Sequence, residues 1–141
     1  MGCTIRVGNA VLADMDVERV HVKQTRHNDA PAFPGDYSER INERMPSYST
    51  WVCLANQTGL KRFFFDEKSG LLSQHPGCAV LQPRHLHEVQ SAIERFRARF
   101  PEATPRFDVS TEDAHLARLL WLEWWMAWAL ANCELPAFYN S

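Results

Sequence analysis

The chain has no dominant charge. Its 15 Lys and Arg are met by 17 Asp and Glu, a formal net charge of −2. The overall basic field that drives nonspecific nucleic-acid binding is therefore missing. Glycine is scarce: 6 residues, scattered singly. Neither a GxxxxGK[ST] loop nor a GxGxxG turn is present, so no glycine loop exists to cradle a phosphate. The GxSxG nucleophile elbow, the HExxH pair and the HxE…PCxxC pattern of zinc deaminases are also absent. The first residues, MGCTIRVGN, lack a basic stretch followed by an apolar run, and Arg6 stands where a myristoylation signal wants Ser or Thr. Only 4 cysteines occur, Cys3, Cys53, Cys78 and Cys133, and they are widely spaced. They read as reduced, packed thiols of a cytoplasmic protein with no cofactor.

What is present is a globular composition. Hydrophobic residues make up 45% of the 141 positions and aromatics 11%. That length suits one domain able to bury a core without disulfides or metals. The longest helical pattern runs from Ser110 to Cys133, STEDAHLARLLWLEWWMAWALANC, and holds Trp121, Trp124, Trp125 and Trp128. Arg118 and Glu123 lie inside it, and the uncharged run after Glu123 is too short for a membrane span. The tryptophans spread over more than one helix face. The spacing predicts that part of this surface is core and part an oligomer interface, most simply that of a homodimer.

The pattern predicts an α+β fold: a small N-terminal antiparallel sheet over residues 1–24, a long loop over 25–48, and a mainly helical part over 49–141. Cys3–Val7 alternates like a strand, and Gly8-Asn9 suits a two-residue hairpin turn. Ala10–Ala13 then returns, Asp14–Asp16 turns again, and Val17–Gln24 forms a third strand. Ser47 or Ser49 can cap a helix ended by Gly59, with Trp51, Leu54 and Ala55 on one face. His75-Pro76-Gly77-Cys78 reads as a type II turn. Pro83 opens a helix to about Phe100, with Leu86, Val89, Ile93, Phe96 and Phe100 on its apolar face. Ser110 and Asp113 resemble a capping box at the start of the last helix. The tail after Pro136 is apolar enough to dock.

Candidate chemistry is sparse. His75 and Cys78 have the separation of a metal-ligand pair, yet Cys53 and Cys133 stand apart in sequence and no second pair completes a zinc site. The same residues could form a nucleophile–base pair. Asp36, Glu39 and Glu43 alternate with Arg40 and Arg44, the pattern of a solvated charged face. The loop itself suits recognition. Arg26, His27, Arg40 and Arg44 offer donors to an anionic group, and Phe33, Tyr37 and Tyr48 offer flat surfaces. The leading expectation is a non-enzymatic protein binding an anionic, nucleotide-like small molecule or a partner protein there. Replacing Arg40 and Arg44 should then weaken binding and leave folding intact. One alternative is a hydrolase or transferase using Cys78 and His75, with or without zinc. Another is a structural component assembling through the tryptophans.

Three runs, PSYSTW (46–51), GLKRFFFDEKSGLLSQHPGCAVL (59–81) and LARLLWLEWWMAWAL (116–130), resemble a group of small proteins of bacteriophage and prophage genomes. The resemblance implies no catalytic residues. It implies a host-takeover or counter-defence role in the host cytoplasm.

Overall fold

The computed structural model describes residues 2–13, 16–34 and 40–141, with the backbone alone at 13 and 16–18. In chain order the elements are β1 (Ile5–Ala13), β2 (Asp16–Val22), β3 (Glu43–Arg44), α1 (Tyr48–Thr58), α2 (Lys61–Phe65), β4 (Gly77–Val80), α3 (Pro83–Arg99), α4 (Thr111–Asn132) and β5 (Pro136–Asn140). The fold is α+β, with an antiparallel sheet ordered β2-β1-β5-β4 and β3 paired to β1. None of the described helices is long and apolar enough to cross a membrane.

The expected hairpin at Gly8-Asn9 does not form. β1 runs straight through it. Gly8 is there for space: a Cβ would stand 3.0 Å from Val22 Cγ1 and 3.1 Å from Asn42 Nδ2. Asn9 uses its side-chain oxygen to accept from the Leu135 amide at 2.8 Å. A tertiary approach and a tertiary hydrogen bond thus override a local turn signal. Of the expected turn at Asp14–Asp16, residues 14 and 15 lie outside the described residues, and Asp16 already opens β2 opposite Ala13.

The sheet is not purely N-terminal. The tail docks as an interior strand, β5, between β1 and β4, with Val7 opposite Phe138 and Ala79 opposite Phe138 on the other side. Thr4 and Ser141 exchange backbone hydrogen bonds at 2.9 Å, so the two ends of the sequence lie together. Pro136 is tolerated as the first residue of the strand, where its missing N–H matters least.

Residues 40–45 form no helix. Arg26 bridges Ile41, and Glu43–Arg44 pair with β1. Asn42 fixes this path. Fully buried, it donates to Val7 O at 2.9 Å and Lys23 O at 3.0 Å and accepts from the Thr25 amide at 2.7 Å. Glu43 accepts from Arg6 Nε at 2.5 Å and from Gln24 Nε2 at 3.1 Å.

Helix boundaries follow their caps. Ser47 Oγ accepts from Thr50 N, and Gly59, at φ 74°, closes α1 in the left-handed region. Gln82 and His85 cap α3 reciprocally: the Gln82 amide donates to His85 Nδ1 at 2.9 Å. Ser110 Oγ accepts from the Asp113 amide at 3.1 Å, but the Asp113 carboxylate does not complete the expected box. It turns to the preceding loop instead, accepting from Thr104 N at 2.9 Å and Arg106 Nη2 at 3.0 Å. The predicted type II turn is absent too: His75–Pro76 is cis, and Gly77, without the positive φ such a turn needs, begins β4.

The core lies between the sheet and the helices. Ile5, Val7 and Phe138 of the sheet join Trp51, Phe64, Val89, Phe96, Leu119, Trp121, Leu122, Trp125 and Met126. Trp121 and Trp125 are 1% and 0% exposed, so they cannot serve an interface between subunits. Trp124 and Trp128 are half-buried, with His27 packed on both at ring separations of 5.3 Å and 6.2 Å.

Candidate functional site

The residues singled out in the loop do not converge. Arg26 is exposed beside the bridge to Ile41. Arg40, at φ 59°, donates to the Asn28 carbonyl. His27 is held against the tryptophans, and Tyr48 begins α1 with its ring 5.9 Å from Phe65. Arg44 is 7% exposed and stacks over Phe107 at 4.3 Å and Trp121 at 5.1 Å. It is a buried structural cation, so the expectation that its removal would leave folding intact is reversed. Phe33 packs edge-on to Phe107 at 6.0 Å. Tyr37, Asp36 and Glu39 lie outside the described residues.

His75 and Cys78 each have another neighbour. His75 Nδ1 lies 2.5 Å from Asn140 Oδ1, while Cys78 sits in β4 opposite Tyr139. Burial pushes the Cys78 thiol up, away from the thiolate a nucleophile needs. Among the described residues, no group of three or more His, Cys, Asp or Glu side chains is placed to hold a metal ion. A cavity of about 690 Å³ lies beside Cys78, between Arg19, His21, Pro76 and Tyr139.

A different cleft carries more chemistry. It measures about 640 Å³ and lies where the first turns of α1 and α4 meet. Ser49, Thr50 and Cys53 form one wall; Ser110, Thr111, Ala114, His115 and Arg118 form the other; Phe107–Val109 close the end. The end wall is anchored by the Asp113 contacts to Thr104 and Arg106. The backbone hydrogen bond from Thr104, and then Arg106, hold the Asp113 carboxyl below its ordinary value. Phe107 sits between Arg44, at 4.3 Å, and Arg118, at 5.3 Å from its ring centre. Two of the loop residues named from sequence, Phe33 and Arg44, therefore reach this site from behind, as supports of Phe107.

Within the cleft, Cys53 Sγ and His115 Nε2 are 3.7 Å apart, within hydrogen-bonding reach for sulfur. Cys53 is exposed, whereas His115 is 3% exposed. Desolvation pushes the imidazole below its ordinary value, Arg118 adds to that shift, and Glu112 opposes it. The ring is consequently neutral at pH 7 and can accept a proton. Its Nδ1 is buried with no hydrogen-bond partner among the described residues.

Sequence reasoning missed this pair because its members are 62 positions apart on two helices. The available signals were modest. Cys53 falls off the apolar stripe Trp51, Leu54, Ala55 and Thr58 of α1. His115 is a polar side chain embedded in the apolar run of α4.

Comparison of the chain with protein-family models, with curated proteins and with solved structures finds no match.

Proposed function

We propose that the chain is a binding protein whose α1/α4 cleft takes a small ligand with an anionic group beside a flat ring. The observation that supports this reading is the meeting of two helix N-termini in one cleft also lined by Arg118 and Phe107. The first amides of a helix have no partner within it, and the helix dipole adds positive potential there. Ser47 and Ser110 each satisfy one such amide, at Thr50 and Asp113. The amides of Ser49 and Thr111, both on the lining, come before the first intrahelical donors, Trp51 and Ala114. His115, 3% exposed, lines the same cleft with its Nε2 3.7 Å from the Cys53 sulfur, while its Nδ1 is enclosed with no partner among the described residues. Among the described residues Asp108 is the one carboxylate on the lining, and it is exposed, where solvent screens it.

The probe is adenosine monophosphate, titrated calorimetrically into the full chain. Ser49→Glu is the informative variant. Glu in the first turn favours the helix, so folding is preserved, while the new charge repels an anion in the cleft. The expected result is a loss of affinity of about tenfold or more. Equal affinity in both proteins removes the cleft as the site.

The resemblance of the three sequence runs to phage and prophage proteins supports a counter-defence or host-takeover setting, in which such a binder sequesters a nucleotide-like signal. Half-buried Trp124 and Trp128, with Leu135 exposed nearby in sequence, support a homodimer as the working form. Light scattering on the purified protein tests it, and a monomer at micromolar concentration ends it.

A further inference from the structure

We propose that Cys53 and His115 form a nucleophile–base pair that accepts an acyl group from an ester or thioester entering the α1/α4 cleft. The inference rests on the reading of that cleft as a ligand site, but not on the ligand being anionic.

The geometry distinguishes Cys53 from every other thiol in the chain. Cys3 is buried, Cys78 and Cys133 are half-buried, and burial pushes all three thiols up. Cys53 alone is exposed, opens onto a cleft, and has an imidazole nitrogen 3.7 Å from its sulfur. The imidazole is fixed by its surroundings: it is buried within α4, and the Phe96 ring lies 6.4 Å away nearly perpendicular to it. A neutral ring held in place next to an accessible thiol is what general-base activation of sulfur requires.

The thiol proton passes to His115 Nε2 as the sulfur attacks the acyl carbon. The carbonyl oxygen gains negative charge on the wall that carries Thr111, whose N-terminal amide has no partner within α4. The alcohol or thiol departs, taking the proton from Nε2, and leaves a thioester on Cys53. Water then attacks with His115 again as base, releasing the carboxylic acid and restoring the thiol.

One feature of His115 sets the tempo of that cycle. The acyl-transfer histidines of proteases donate their second nitrogen to a carboxylate or amide that stabilises the imidazolium, and losing that partner costs about 10⁴ in rate. His115 Nδ1 has no partner among the described residues. That loss falls on acylation and hydrolysis alike, but sulfur is a far better nucleophile than water, so the protein should capture about one acyl group per chain from an activated ester and release it slowly.

The test uses the full chain with p-nitrophenyl acetate, a neutral ester, followed by intact mass and peptide mapping. The expected result is a burst of nitrophenolate equal to the protein, one acetyl group on Cys53, and slow turnover afterwards. Cys53→Ser should abolish the burst. His115→Asn, confirmed folded by circular dichroism, should slow it by about a hundredfold or more. Should that variant fail to fold, the wild-type protein decides alone. Below pH 7 its Cys53 must react at least about tenfold faster than N-acetylcysteine, because only an assisted thiol is reactive there. Acetylation spread over all four thiols, or Cys53 no faster than the free thiol, overturns the proposal. Adenosine monophosphate binding without a burst rejects the acyl chemistry and leaves the binding reading standing. A burst without such binding does the reverse.

Discussion

Trp121 donates its indole N–H to the carbonyl of Ile41 at 3.1 Å, across 80 positions of sequence. This bond ties the central helix to the irregular segment that leads into β3. Trp121 lies at the middle of α4, whereas Ile41 lies in an irregular stretch held by its bridge to Arg26. Trp121→Phe keeps most of the buried ring but leaves the Ile41 carbonyl without that donor. The expected cost is about 1–3 kcal/mol in urea unfolding, with the α-helical circular dichroism signal unchanged.

Arg44 and Arg26 belong to the same segment and should behave oppositely. Arg44 is buried between Phe107 and Trp121, so Arg44→Ala removes cation–π contacts and opens a hole beneath the end wall of the cleft. A loss of about 2–4 kcal/mol is expected. Arg26 is exposed, and Arg26→Ala should stay within about 0.5 kcal/mol of wild type. Equal effects from the two substitutions would contradict the assignment of Arg44 to the interior.

Asn42 offers a sharper test of the same path. Its side chain satisfies two carbonyls and one amide, from Val7, Lys23 and Thr25. Asn42→Ala would strand these buried groups together, at about 1–3 kcal/mol for an unsatisfied group. The combined loss should exceed that from Trp121→Phe, and hydrogen exchange should accelerate first at Thr25.

Gly59 closes α1 at φ 74°, and a Cβ there would come within 3.3 Å of Arg95 Nη2. Gly59→Ala should cost about 1–2 kcal/mol, the left-handed penalty for an L-residue. Gly59→Asn should cost less, because Asn tolerates this conformation better than other residues. A thermal melt of both variants reads the difference directly.

The legible parts of this fold are those governed by local rules. Ser47, Gly59, Pro83 and Ser110 punctuate the helices as their chemistry demands. The failures share a cause. Gly8-Asn9 carries a turn signature, but Val22, Asn42 and Leu135 recruit these residues for close approach and hydrogen bonding within a strand. PAFYN is too short, and too plainly headed by proline, to announce itself as an interior strand between β1 and β4. The loop residues chosen for recognition were the right types for binding. Yet Arg44 and His27 are consumed by aromatic packing that no local pattern reveals. The Cys53–His115 pair escaped for the same reason, since only the meeting of α1 with α4 creates it.

The buried histidines make stability depend on pH in a direction that can be stated. His85 is held neutral by burial and by Arg84 beside it, and protonating Nδ1 would also destroy its bond from the Gln82 amide. The ring of Phe63, on α2, covers it at 5.7 Å. His115 is held neutral by burial and Arg118, against the pull of Glu112, with Cys53 of α1 and Phe96 of α3 as its other neighbours. Both folded values lie below the unfolded one of about 6.5. As pH falls through about 6.5, the unfolded chain takes up these protons first, so stability is complete above that value and declines below it. Asp113 acts lower down. Its folded value lies beneath the ordinary carboxyl range, so its contribution persists above about pH 4 and is lost on further acidification. Urea unfolding at pH 7.5, 6.0 and 5.0 should therefore show a progressive loss. His85→Gln keeps an acceptor for the Gln82 amide but cannot titrate, so its stability should fall less over the same interval. A wild-type stability that is flat from pH 7.5 to 5.0 would mean that neither imidazole is buried in its neutral form.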